Sequence, residues 1–217
     1  QGVARAFTAE AKKQGIKVLS SGEYGEGWDK KQTSYEALFT KIKALKPDMV
    51  YVAGIFDNNG GLLVKEKVKI LGDNTAVKLM GPDGFTGYPD LNKMPEAAGM
   101  YLSFAGLSTD LLLANNPNGA GAKFVADYKA KYGSDPVGSY PIYGVAAVQV
   151  ILKAIAASDG TRKGVFEAMK SIVIPAAESV VGTELKFDAN GDILSKDITI
   201  LVVKDQKETF VQKITIN

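Results

Sequence analysis

The chain has 217 residues, 46% of them apolar, with 26 basic and 24 acidic side chains and a formal net charge of +2. That is enough for one sizeable core or two small ones, and so even a charge balance gives no electrostatic reason to expect nucleic acid or an anionic membrane as partner. Cysteine and histidine are both absent, which excludes disulfides, thiolate metal sites, cysteine nucleophiles, the usual zinc sites and Ser-His-Asp chemistry.

An enzyme would have to work with carboxylates, lysines or tyrosines alone. The longest uncharged stretch, residues 137–152, is shorter than a membrane-spanning helix needs and is broken by Pro141 and Gly144. The chain opens abruptly. There is no initiator methionine, signal peptide or N-cap before Val3, Ala4, Phe7 and Ala11, which share one helical face. This predicts a piece of something longer.

In chain order, residues 2–14 read as a helix ended by Gly15, followed by a short strand at Ile16-Lys17-Val18-Leu19. Thr33-Ser34-Tyr35-Glu36 has the form of a capping box, with Thr33 as N-cap. It opens a helix whose apolar face is Tyr35, Leu38, Phe39, Ile42 and Leu45, stopped by Pro47. The β-branched run at residues 48–53 predicts a buried strand. Asn58 or Asn59 starts a third helix with Leu62, Leu63, Val68 and Leu71 on one face, ended by Gly72. Strands follow at 77–80 and 99–104, with a helical turn near 91–94 between them. Alternating helices and strands of this length indicate βαβ units and a parallel sheet.

Residues 105–120, with Asn115-Asn116-Pro117-Asn118-Gly119, read as a polar connection. Three helices are predicted over 121–131, 140–157 and 161–170. The end of the chain is β, with strands at 184–187, 193–203 and 209–214. An Asn190-Gly191 turn joins the first two and a turn at 204–207 the last two. The organisation expected is therefore residues 1–105 as the first part of an α/β domain, 106–178 as a crossover and helices, and 179–217 as returning strands.

In an open parallel sheet, ligands bind beyond the carboxyl ends of the strands. Three loops meet that rule: Ser20-Ser21-Gly22-Glu23-Tyr24-Gly25, Gly54-Ile55-Phe56-Asp57-Asn58-Asn59 and Gly81-Pro82-Asp83-Gly84-Phe85. A carboxylate can bind an ammonium, an aromatic ring can pack on an apolar group, and glycines admit close backbone approach. The same residues also have plain structural readings. Asp57, Asn58 and Asn59 suit a helix N-cap, and Pro82-Asp83-Gly84 suits a turn. Tyr140 and Tyr143, three apart at a helix start, point the same way, toward a core or a ligand wall.

Other motifs carry less. In Phe187-Asp188-Ala189-Asn190-Gly191-Asp192, Ile193 and Thr199 stand where a calcium loop needs Gly and Glu, so a hairpin turn is expected. The glycines at 22–27 lack the spacing and the Lys-Ser/Thr of a phosphate loop. Trp28 reads as a partly buried anchor. No cofactor and no metal is expected.

Taken together, these motifs resemble the substrate-binding proteins of branched-chain amino-acid ABC transporters, of the type I periplasmic binding fold. The residues that carry the resemblance run from Gln1-Gly2 through Pro47-Asp48-Met49-Val50 and Gly81-Pro82-Asp83-Gly84. They continue in Tyr128-Lys129-Ala130-Lys131-Tyr132-Gly133 and Tyr143-Gly144-Val145-Ala146-Ala147 to Phe187-Asp188-Ala189-Asn190-Gly191-Asp192.

The resemblance implies a three-layer α/β/α lobe with a parallel sheet, plus return helices and terminal strands, from a non-enzymatic protein of two lobes that close on a small solute by hinge motion. It implies an extracytoplasmic location and an ABC permease as partner. It places Asp83 at the acidic position for a solute ammonium and Ile55 or Phe56 at an aromatic wall, with Asp57 and Phe85 in the same loops and Tyr140 and Tyr143 in another cleft-lining segment.

Asp83 is shorter than the glutamate many members use, and Ile55 replaces a frequent tyrosine. An amide or an aromatic acid therefore stands beside an amino acid as the ligand. A sensor domain of the same fold is the alternative role. A first lobe of about 100–150 residues is missing from this reading, which predicts poorly covered helices over 121–171 and self-association of the fragment.

Overall fold

A computed structural model describes residues 1–20 and 24–216. It contains two compact units: residues 1–103 with 200–211, and residues 104–199 with 212–217. The chain thus passes from one unit to the other three times.

The first unit opens with α1 (Gly2–Lys13), which buries Thr8 and Ala11 and stacks Phe7 on Tyr51 at 4.0 Å. The strand expected at 16–19 does not form. The Ile16 N–H instead bonds to Ala11 O at 2.9 Å, which closes the helix end, and the Ile16 side chain is exposed. An extended tetrapeptide becomes a strand only beside a partner, and among the described residues none pairs with it.

Helix α2 (Glu36–Ala44) starts two residues later than a Thr33 N-cap would place it. The capping box is not made. Glu66, from the next helix, accepts hydrogen bonds from the Tyr35 N–H and the Ser34 hydroxyl, while Glu36 pairs with Lys69 at 3.1 Å. An acceptor supplied by a neighbouring helix satisfies the orphan donors that a local cap would otherwise serve. Tyr35 and Phe39 are buried as expected, and Leu45 is exposed.

Strand β1 (Met49–Tyr51) is followed by α3 (Gly60–Leu71), β2 (Lys78–Gly81), a 3-10 turn at Asp83–Phe85 and the short α4 (Pro89–Asn92). Then comes β3 (Tyr101–Ala105). β1 pairs parallel with β2, and β2 with β3. The sheet order is β1-β2-β3-β4-β5, completed by β4 (Asp197–Lys204) and β5 (Lys207–Thr215). β1 is therefore an edge strand and not the buried strand its composition suggested, because among the described residues only β2 flanks it; Met49 is exposed. The β4–β5 turn holds Asp205 and Gln206 at φ 51° and 60°, the conformation of a tight two-residue hairpin. Leu63, Val64, Leu71, Leu79, Leu91, Met100, Leu102, Leu201 and Val203 form the core.

The second unit contains α5 (Thr109–Asn115), α6 (Ala120–Tyr132), α7 (Tyr140–Ala156) and α8 (Arg162–Met169). Helix α5 lies where a polar connection was expected. Its Leu112 is buried among Leu107, Ile142, Ala146, Val150, Ile174, Val180, Val181 and Leu185, and burial of an apolar side chain outweighs the Asn- and Gly-rich flank. No full strand forms at 184–187. Residues there make only two isolated bridges, Leu185 to Ile174 and Phe187 to Ile193. The Asn190-Gly191 turn is present, tied by Asp188 Oδ1, which accepts from the Asn190 and Asp192 N–H groups. Residues 179–199 belong to this unit, and the return to the first begins at Ile200.

Candidate functional site

The carboxyl ends of β1 and β2 carry two loops that are bonded to each other. The Phe56 N–H donates to Gly84 O at 2.9 Å. Gly84 has to be glycine, since a Cβ there would lie 2.6 Å from Ile55 Cγ2 and 2.7 Å from Gly54 O. On the other side of the first loop, the Trp28 indole packs directly on Gly54 and meets Tyr35 edge-on at 6.0 Å. Trp28 is thus an anchor for this loop, as its sequence context suggested.

An aromatic group fills the angle between the loops. Phe85 is fully buried and meets Phe56 edge-on at 6.2 Å; Phe56 packs on Tyr88 at 4.8 Å. The Tyr88 hydroxyl donates to Asp57 Oδ2 at 3.0 Å. Burial raises the Tyr88 phenol, and the hydrogen bond and charge of Asp57 add to the rise. Asp83 opens the 3-10 turn, half-buried, and its O accepts from the Thr86 N–H and hydroxyl. The Tyr51 phenol at the end of β1 is raised first by burial and then by the Asp83 charge. Ile55 is 44% exposed and Asp57 is exposed.

Five of the seven residues singled out from the sequence, Ile55, Phe56, Asp57, Asp83 and Phe85, therefore share two interlocked loops of the first unit. Asn58 makes no cap. Asn59 takes the N-cap position of α3 with φ 68°, and its side chain bonds away from the helix to Gln32 O and the Tyr35 hydroxyl. Of the third loop, Ser21, Gly22 and Glu23 lie outside the described residues.

Tyr140 and Tyr143 belong to the second unit. They do face the same way, and both rings meet buried Phe104 edge-on, at 5.3 and 5.4 Å. The Tyr143 hydroxyl accepts from the Leu107 N–H at 2.7 Å and donates to Leu107 O at 3.0 Å. It also packs on Gly106, whose φ of 116° no side chain adopts easily. Burial pushes this phenol up to about 12. Tyr143 spends its polar atom on the backbone, whereas Tyr140 is 47% exposed.

Sequence reasoning missed Tyr88, whose only signal was an aromatic residue three positions after Phe85. It also missed Glu208, whose Oε1 accepts from the Gly87 N–H at 2.6 Å from 121 residues away. Nothing local could have shown that. Among the described residues, no group of three or more His, Cys, Asp or Glu is placed to hold a metal ion, and no helix is long and apolar enough to cross a membrane.

The family model described as periplasmic binding protein matches residues 1–208. The chain belongs to the periplasmic binding protein family. Its fold is that of the type I members, parallel strands flanked by helices. A leucine-binding protein from Thermotoga maritima superposes with a TM-score of 0.69 at 22% identity, over 85% of this chain and 49% of that one. A solute-binding protein of an ABC transporter from Rhodopseudomonas palustris HaA2, in complex with p-hydroxybenzoic acid, gives 0.70 at 19% identity, over 97% and 55%. The leucine-, isoleucine-, valine-, threonine- and alanine-binding protein from Brucella ovis gives 0.70 at 16%, over 95% and 52%. At these identities the likeness is one of fold, and the chain spans about half the length of these periplasmic binding proteins. No curated protein sequence matches it.

Proposed function

We propose that this chain is part of the extracytoplasmic solute-binding component of an ABC transporter, that it hands a small amino-acid-like ligand to a membrane permease, and that it is not an enzyme. The observation that carries the reading is that two interlocked loops beyond β1 and β2 hold both an acidic residue, Asp83, and the aromatic residues Phe56, Phe85 and Tyr88. Loops that combine a carboxylate with aromatic residues suit an ammonium on an apolar body. Ile55 and Asp57 edge the same loops. The named ligands of the structural neighbours, leucine and p-hydroxybenzoic acid, are small acids with apolar bodies, which agrees with the class and leaves the ammonium to be tested.

The test is calorimetric titration of the full-length gene product with L-leucine and with p-hydroxybenzoate. Leucine binding that weakens on the order of 100-fold in Asp83→Ala, the loss of one charge-assisted contact, supports the amino-acid reading. Binding of p-hydroxybenzoate alone, unaffected by that substitution, makes the protein an aromatic-acid binder and removes Asp83 from the site. Binding of neither sinks the solute reading for both classes.

A further inference from the structure

Resting on the solute site proposed above, we infer that Tyr88 is a positioning residue, which presets the 54–59 loop against the 81–88 loop before any solute arrives. Tyr88 makes two different contacts to one loop: its hydroxyl donates to Asp57 Oδ2 at 3.0 Å, and its ring lies on Phe56 at 4.8 Å. Those two residues are consecutive, so the tyrosine fixes both the direction of the carboxylate and the plane of the aromatic wall. Tyr88 is itself held from behind. Glu208 on β5 accepts the N–H of Gly87, the residue immediately before it, at 2.6 Å, and Asn92 Nδ2 approaches the same oxygen at 3.5 Å.

The result is a continuous physical path. It runs from the returning strand, through the Gly87 backbone and the Tyr88 side chain, to Asp57 and Phe56, and closes through the Phe56 N–H to Gly84 O bond at 2.9 Å. Every contact in it lies within the first unit. A loop held in its binding conformation loses less freedom when a ligand arrives, and affinity rises by that difference. Asp57 is exposed and would otherwise sample many directions. A tyrosine is suited to the task, because it offers a rigid ring and a polar tip on two torsions.

The experiment separates positioning from plain structural support. Amide hydrogen exchange of residues 54–59 is measured in the full-length gene product without ligand, for wild type, Tyr88→Phe, Asp57→Ala and the double variant. Tyr88→Phe keeps the ring and deletes one hydrogen bond, so the Phe56 amide is expected to exchange roughly 3- to 10-fold faster, with no further increase in the double variant. Affinity for L-leucine or p-hydroxybenzoate, whichever the wild type binds, is expected to fall by a similar factor in Tyr88→Phe, and by more in Tyr88→Leu, which also removes the ring. Unchanged exchange at 54–59 in Tyr88→Phe overturns the proposal whether or not a ligand is known. Faster exchange with unchanged affinity also overturns it, since the loop would then be tied for stability alone. A wild type that binds neither probe defeats the solute reading, and the exchange measurement still decides the tie between the loops.

Discussion

Helices α3 and α7 invert the usual rule for what a protein hides. Helix α3 buries a lysine completely: Lys67 lies on the same face as Leu63, Val64 and Leu71. Helix α7 has the more apolar sequence, yet leaves Val148, Ile151, Leu152 and Ile155 between 43 and 59% exposed, on the face opposite Ile142, Ala146, Val150 and Ala154. The difference lies in what each side chain meets. The Lys67 ammonium donates to Gly72 O and Asp73 O at 3.1 Å, to Asn74 Oδ1 at 2.8 Å and to Val77 O. It thereby serves the carbonyls of the α3 C-cap Gly72 and of Asp73 and Val77 in the segment that follows, and Asn74 extends the network to Glu96 O and Ala98 O. A buried charge is tolerated when its donors are all used. Helix α7 has one covered face and more apolar residues than that face can hold. Tyr132 at the end of α6 and Phe166 on α8 are exposed as well.

The sharpest way to break the comparison is Lys67→Met. If the ammonium is the hub of the α3 end, its removal leaves buried Asn74 Oδ1 and three part-buried carbonyls without that donor and costs about 4 kcal/mol in urea denaturation followed by Trp28 fluorescence. A loss below about 1 kcal/mol would mean that Lys67 is merely accommodated. A matched pair on α7 comes next. Ile142→Ala, in the core, is expected to cost about 3 kcal/mol, and Ile151→Ala, on the exposed face, less than about 1 kcal/mol. Equal losses in the two variants would show that the outer face is covered in solution.

The smallest effect is on pH dependence, and Lys67 and Tyr143 should contribute with opposite signs. Burial lowers Lys67 from 10.5 to about 8, against the pull of Asp73. Between those values the unfolded chain holds a proton that the folded chain has lost, so the first unit gains stability as pH rises through the window and loses it again as pH falls toward 8. Tyr143 is raised from 10.0 to about 12. There the folded state keeps a proton that the unfolded state has released, so the second unit loses stability as pH climbs from 10 to 12. Fluorescence of Trp28, the chain's single tryptophan and a residue of the first unit, reads the first trend; helical circular dichroism reads the second. A flat profile from pH 8 to 10.5 in wild type, or one unchanged in Lys67→Met, would contradict the first assignment.

What the sequence determined by itself was local in origin. Hydrophobic periodicity and glycine or proline punctuation placed α1, α3, α6, α7 and α8 within a few residues, because a helix repeats its pattern inside one turn of chain. The alternation of helices and strands indicated the parallel sheet, and the rule that ligands meet the carboxyl ends of its strands pointed to the loops at 54–59 and 81–85. The tertiary structure alone decided whatever depends on a distant partner. Among the described residues, 16–19 found no strand to pair with, and β1 found only one. Glu66 took over the cap of α2 from Thr33, and burial of Leu112 made a helix of an Asn-rich connection. The same holds at the candidate site. Phe56, Asp57 and Asp83 were visible from their own neighbours in the chain, whereas Tyr88 acquired its place from Asp57 thirty-one residues before it and Glu208 from Gly87 at a separation of 121. Hydrogen bonds and ring contacts reach only a few ångströms, so a partner that distant in sequence becomes visible only once the fold has brought it near.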